Sequence, residues 1–150
     1  MGNLVRSVMA KALFDNMLSE TGNKDLGSMS AGLTRLSGAK AAENTIKICS
    51  KYGLDVNSHR SSQVDGGLIH EADLVLTMEI EQRNYIQSVY REHSSKIFTL
   101  TGYSDGNERD IYDPYGDGID IFDNVFKEIK AEIERILPLL IELKNRAGSN

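Results

Sequence analysis

Met9, Leu13 and Met17, with Ala10 and Phe14 alongside, repeat at the spacing of one helical face and predict a first helix from about Ser7 to Ser19. Gly22-Asn23 ends it, and Leu26 to Ala31 reads as a short strand closed by Gly32. Ala39 to Tyr52 predicts a second helix, with Ala42, Ile46 and Cys49 on one side and Gly53 at its C-cap. The continuous apolar run Leu74-Val75-Leu76, with Met78, predicts a central parallel strand buried on both faces. Glu79 to Tyr90 is helical in pattern through Ile80, Ile86 and Val89, and Ile97-Phe98-Thr99-Leu100 supplies another strand. Thr101 to Gly118, rich in Gly, Asp and Tyr and without a period, is a long loop of the kind that often carries function. From Asp120 onward, Phe122, Val125, Phe126, Ile129, Ile133, Ile136, Leu137 and Leu140 mark one face of a long amphipathic helix. Pro138 is expected to kink that helix or end its regular part, and Gly148-Ser149-Asn150 to fray. Strands alternating with helices indicate an α/β domain with a mainly parallel sheet.

The chain has 150 residues and is 40% hydrophobic, enough for one core and one domain spanning 1–150. A net charge of −5 argues against nucleic acid as a partner, because counterion release needs a clustered basic surface, while a local pocket can still hold a small anion. The single cysteine, Cys49, excludes an internal disulfide and a multi-cysteine zinc site and fits a reducing cytoplasm. No apolar run approaches the roughly 20 residues of a membrane span, and the N-terminus lacks the layout of a signal peptide.

Chemistry concentrates at the start of the chain. Gly2-Asn3-Leu4-Val5-Arg6-Ser7 leads directly into the first helix, which turns several backbone N–H groups toward one point at the positive helix end. Gly2 and Asn3 accept the positive φ angles of an anion-binding nest, and Arg6 offers a planar fork that matches two phosphate oxygens. A Gly-Asn pair before a helix is also a common turn and cap, so these residues alone leave both readings open.

The segment resembles the phosphate loop of the low-molecular-weight protein-tyrosine phosphatases, commonly Cys-x-Gly-Asn-x-Cys-Arg-Ser, from the glycine onward. Met1 then falls on the variable position after the nucleophile, and the expected cysteine would stand immediately before Met1. The likeness continues in order through Ser30-Ala31-Gly32, Gly53 with Ser58-His59, Ala72-Asp73-Leu74-Val75-Leu76 with Met78, and Asp113-Pro114-Tyr115-Gly116. The bacterial branch of tyrosine and arginine phosphatases is the nearest, above all from Asp110 to Phe122. Three positions depart: Val5 replaces a second loop cysteine that often protects the nucleophile from oxidation, Val8 a proline and Lys11 a glutamate.

The resemblance implies a three-layer α/β sandwich with a parallel four-stranded sheet in the order 2-1-3-4, from which this chain would lack the first, inner strand. Its loss is expected to cost stability and to make the flanking strands, near Leu26 to Ala31 and at Asp73 to Met78, pair directly or take a segment of the chain or of a second copy into the gap, a route to self-association. The implied reaction is hydrolysis of phosphotyrosine on proteins through a phosphocysteine, without metal or cofactor. Arg6 would bind phosphate and Asp113 would be the general acid and then the base; for Asp113 a plain Asp-Pro turn is the competing reading. Ser7 would support the thiolate or merely cap the helix. Gly2, Asn3, Leu4 and Val5, with Ser7 and Tyr115, would form the substrate-binding surface, and Asn3, which would mainly fix the loop backbone, is paired with His59 by the resemblance. Ser30 would brace the loop, and Tyr115 would wall the pocket mouth. Cys49 is not the displaced nucleophile, since it lies on the inner face of a helix and position 55 is Asp55 rather than arginine. An apolar Leu4 favours a phenyl ring, hence phosphotyrosine, over phosphoarginine. Lacking a nucleophile, the chain as it stands is expected to be inactive; the other readings are a catalytically dead phosphate-binding module, holding phosphate or sulfate, and a protein-arginine phosphatase when full length. A thiol-dependent arsenate reductase is disfavoured, because it needs further cysteines near the site.

Overall fold

The computed structural model describes residues 2–148; the expected variable position at Met1 and the fraying of Ser149 and Asn150 lie outside the described residues. The chain divides into two compact units, the first made of residues 1–63 and 113–150, the second of residues 64–112.

The first unit is built on three helices. Helix α1, Arg6–Glu20, starts when the Val5 carbonyl accepts from Met9 N at 3.0 Å. It buries Val8, Met9, Leu13 and Leu18, whereas Met17 and Phe14 from the expected stripe are only half-buried. Helix α2, Glu43–Lys51, begins four residues later than the sequence suggests and buries Thr45, Ile48 and Cys49. It ends as Gly53 predicts. Gly53 takes φ +78°, its N–H reaches the Ser50 carbonyl at 3.0 Å, and Leu54 N reaches the Cys49 carbonyl at 2.8 Å, so two orphan carbonyls are satisfied by one left-handed residue.

Helix α3, Gly66–Glu71, opens the second unit, with Asp65 accepting from Leu68 N at 2.8 Å as its N-cap. Strand β1, Val75–Thr77, helix α4, Ile80–Val89, a 3-10 segment Arg91–Lys96 and strand β2, Ile97–Thr99, complete that unit's elements. The strands are parallel, in the register Val75 to Ile97, Leu76 to Phe98 and Thr77 to Thr99. The short α3 and the 3-10 segment escape a periodicity reading because neither is long enough to show a face.

Helix α5, Ile119–Gly148, returns to the first unit and buries Phe122, Val125, Phe126, Ile129, Ile133, Ile136 and Leu137 against its partners. Pro138 does not end it. The ring forfeits one helical hydrogen bond, but buried Ile136 and Leu137 hold the helix in place immediately before it. Tyr52 stacks on Phe126 at 4.4 Å between ring centres, and its hydroxyl donates to Asp123 Oδ1 at 2.6 Å. That donation, with Lys127 and Lys51 nearby, holds the Asp123 carboxyl down at about 2.

Two expectations about the sheet need correction. Residues 26–31 form no strand: the isolated parallel bridge between Gly32 and Gln63 is all the pairing that this region shows among the described residues. Met29 is 72% exposed and Gly27 and the serines offer little apolar surface, so no packing gain replaces the ladder bonds that a strand needs from a partner. Among the described residues the parallel sheet therefore consists of two strands, β1 and β2, where three were expected of this chain. Strand β1 is also only half-buried at Val75 and Leu76, not covered on both faces. The class is nonetheless α/β with parallel pairing.

Candidate active site

The Gly2–Ser7 loop is held from outside by side chains and main chain of its own unit. Asn3 takes φ +62°, a left-handed conformation that asparagine tolerates better than most residues, and it is buried. Its side-chain amide donates to Ser7 Oγ at 2.8 Å and to Ser30 Oγ at 3.0 Å, while its Oδ1 accepts from Ser62 N at 3.1 Å. His59 meets Asn3 as well, but through the main chain, with Nε2 2.7 Å from the Asn3 carbonyl oxygen. The Leu4 carbonyl in turn accepts from Ala42 N and from Thr45 Oγ1, both at 3.0 Å.

These contacts orient the loop's donors. In a trans peptide the carbonyl and the following N–H point in opposite directions, so the outward-held carbonyls of Asn3 and Leu4 turn Leu4 N–H and Val5 N–H the other way. Among the described residues neither N–H has an acceptor. They lie at the N-terminus of the 15-residue α1, where the helix dipole adds positive potential. Val5 occupies the N-cap position without a side-chain cap, and Ser7 sits inside the first turn, so Ser7 is not the capping residue.

Arg6 is 4% exposed, and its Nη2 lies 3.6 Å from Asp113 Oδ2. Asp113 is about one-third exposed, and its other oxygen accepts from Tyr115 N at 3.1 Å, which fixes the Asp-Pro-Tyr turn. The turn is closed by Asp117 N donating to the Pro114 carbonyl at 2.8 Å and tied to α2 by Asn44 Nδ2 donating to the Asp117 carbonyl at 3.2 Å. Tyr115 itself is 65% exposed. An arginine fork, a carboxylate beside it and N–H donors at a helix start together suit a tetrahedral oxyanion and proton transfer next to it.

The low molecular weight phosphotyrosine protein phosphatase family matches residues 1–147. The chain belongs to that family. A probable low molecular weight protein-tyrosine-phosphatase, EpsP, of Ralstonia nicotianae is 31% identical over 91% of this chain and 89% of its own length. The protein-arginine-phosphatase of Bacillus subtilis is 33% identical over 91% and 87%. Among solved structures, the YwlE arginine phosphatase from Geobacillus stearothermophilus superposes with a TM-score of 0.89 at 29% identity, covering 97% of this chain and 92% of that one.

Within this family member the residues expected from sequence, Gly2, Asn3, Leu4, Val5, Arg6, Ser7, Ser30, His59, Asp113 and Tyr115, all fall in the first unit. Asn3 gathers Ser7, Ser30 and His59, and Arg6 meets Asp113. Three supports escaped the sequence reading. Thr45 and Ser61 are buried hydroxyls, and Ser62 bridges Asn3 Oδ1 and the Ser30 carbonyl, its hydroxyl reaching the latter at 3.2 Å. Their signal was faint: a polar residue on the inner face of α2, and a serine pair just past His59.

Cys49 is fully buried in α2, and burial pushes its thiol up to about 11. At pH 7 the group is therefore held as the unreactive thiol. A colorimetric disulfide reagent is thus expected to react negligibly with the native chain at neutral pH and to titrate one thiol after denaturation. Rapid native labelling would show that the thiol is accessible and ionised.

Proposed function

We propose that the Gly2–Ser7 loop is a phosphoryl-oxyanion site of a protein-tyrosine phosphatase, with Arg6 binding two phosphate oxygens and Asp113 as general acid. The observation that carries this reading is the pairing of buried Arg6 with Asp113 beside a loop whose carbonyls are held outward, leaving its N–H groups for an anion. No cysteine occurs among residues 1–7, and in the proposed chemistry one placed directly ahead of Met1, on an apolar strand, supplies the nucleophile and the inner strand of a four-stranded sheet in the order 2-1-3-4. Its thiolate attacks phosphorus; the S–P bond forms as the P–O bond to the tyrosyl oxygen breaks, and Asp113 gives that oxygen a proton. The Asp113 carboxylate then takes a proton from water as the water oxygen attacks phosphorus, the S–P bond breaks and phosphate leaves with the thiolate restored. Ser7 stabilises that thiolate, Asn3, His59 and Ser30 hold the loop, Gly2, Leu4 and Val5 shape it, and Tyr115 walls its mouth. With no cysteine in the Gly2–Ser7 loop, residues 1–150 are proposed to bind phosphate without turning it over, and the cytoplasm is the proposed compartment.

Phosphoarginine is the second substrate reading, favoured by the 33% identity with a protein-arginine-phosphatase. Leu4 supports phosphotyrosine instead, because an apolar side chain beside the phosphate suits a phenyl ring better than a guanidino group that needs hydrogen-bond partners. Hydrolysis of matched phosphotyrosine and phosphoarginine peptides by the cysteine-completed protein separates the two.

The binding half of the proposal is tested on the 150-residue chain. Titrating inorganic phosphate is expected to shift the amide resonances of Asn3 to Ser7 with a dissociation constant on the order of millimolar. Arg6→Ala should abolish the shifts. Silent amides from Asn3 to Ser7 would overturn the oxyanion assignment.

A further inference from the structure

We propose that Arg35 and Lys40, with Arg60 beside them, form a cationic rim around the phosphate loop that selects phosphoprotein segments with acidic residues flanking the phosphorylated one. This inference rests on the phosphate-loop reading and specifies which substrates that site accepts.

The placement follows from contacts with the loop. A Cβ built on Gly2 would lie 3.2 Å from Leu36 Cδ2 and 3.4 Å from Thr34 Oγ1, so the residues on either side of exposed Arg35 lie against the loop's first described residue. At the other end of the same segment, Ala42 N donates to the Leu4 carbonyl. Exposed Lys40 therefore sits on a span anchored to the loop at both ends. Arg60 follows His59, which reaches the Asn3 carbonyl. The two segments are joined where Gly38 N donates to the Ser61 carbonyl at 2.8 Å and Ser61 N to the Ala39 carbonyl at 2.7 Å, which sets Lys40 and Arg60 on either side of one junction.

The charge pattern at this rim is the reverse of the chain's net −5. Residues 32–42 contain two cations and no acid, and residues 56–64 contain Arg60 and no acid. Many cations elsewhere in the first unit sit beside acids: Lys11 beside Asp15, Lys47 beside Glu43, Lys51 and Lys127 beside Asp123, Lys130 beside Glu134. Arg35 and Lys40 have no acidic partner among the described residues, and Arg60 donates to the carbonyls of Asn57 and His59, which leave its charge uncompensated. Cations kept apart from the chain's own carboxylates attract carboxylates arriving with a substrate, and a globally acidic protein repels such a substrate everywhere else. Exposed pairs are individually weak and screened by salt, so the selectivity should be modest and dependent on ionic strength.

The test uses the 150-residue chain, which binds without turnover in the reading above, and two short phosphotyrosine peptides that differ only in glutamate or glutamine at the flanking positions. At low salt the glutamate peptide should bind about tenfold more tightly, and the advantage should shrink as salt rises. In Arg35→Gln/Lys40→Gln the preference should fall to about twofold or less, while inorganic phosphate still shifts the amides of Asn3 to Ser7. Equal affinities of the two peptides for the unmodified chain, with phosphate still shifting Asn3 to Ser7, would overturn the rim and leave the phosphate site standing. A preference that survives the double substitution would also overturn it, by placing the recognition elsewhere. Failure of phosphate and both peptides to bind would overturn the phosphate-loop reading and the rim with it.

Discussion

The 150-residue chain is expected to release no p-nitrophenolate from p-nitrophenyl phosphate above a buffer blank, while the same chain preceded by an apolar strand ending in cysteine should turn over. The difference should be about 10⁴-fold or more, because a positioned nucleophile acts as a unit with its oxyanion donors and its removal ordinarily costs most of the rate. Neither Arg6 nor Asp113 can replace it, since one has no free electron pair to give phosphorus and the other is placed to move a proton. Cys49 cannot replace it either, being buried and held as a thiol. The check is a steady-state assay of both proteins, each also carrying Arg6→Ala. Turnover by the short chain that persists without Arg6 would show that the Gly2–Ser7 loop is not where the chemistry occurs. Turnover confined to the extended protein and lost with Arg6 is the expected pattern.

In the cysteine-completed protein, Asp113→Asn should slow hydrolysis of aryl phosphates with basic leaving groups by about 10²–10⁴-fold and affect activated ones far less. The reasoning is one of proton demand. A poor leaving group needs a proton in the transition state, whereas a stable phenolate departs without one. Asparagine keeps the shape of Asp113 and the acceptor for Tyr115 N, so the turn that carries it should persist. The contact with Arg6 is also changed by this substitution, and it acts on all substrates alike. A leaving-group series therefore separates the two effects: a steeper dependence of rate on leaving-group pKa identifies the acid, and a uniform drop would assign Asp113 only to holding Arg6.

The loop motif was the most legible part of the site, because a helix start, residues tolerant of positive φ and an arginine are all local features of Gly2 to Ser7. Its supports were less so. Ser62 and Thr45 bond to Asn3 and Leu4 from distant stretches of chain, and a hydroxyl in a sequence carries no mark of the carbonyl or amide that it will meet. The pairing of Asn3 with His59 was expected, yet only coordinates show that it runs through the Asn3 carbonyl while the side chain serves Ser7, Ser30 and Ser62.

The same division runs through the fold. Sequence by itself determined the helices α1 and α5 and the stop at Gly53, since a helix closes its hydrogen bonds among near neighbours and its buried face repeats within a few residues. It also located β1 and β2, whose apolar runs have few other uses. Tertiary structure alone decided that Leu26 to Ala31 would not be a strand, that β1 would be half-buried, and that α5 would run through Pro138. A strand exists only if another segment supplies its ladder, and a proline is tolerated only if packing on the helix outweighs the lost bond. Arg6 and Asp113 obey the same rule: each residue was readable where it stood, but their 3.6 Å approach depends on how α1 and the Asp113 turn are brought together by the unit they share.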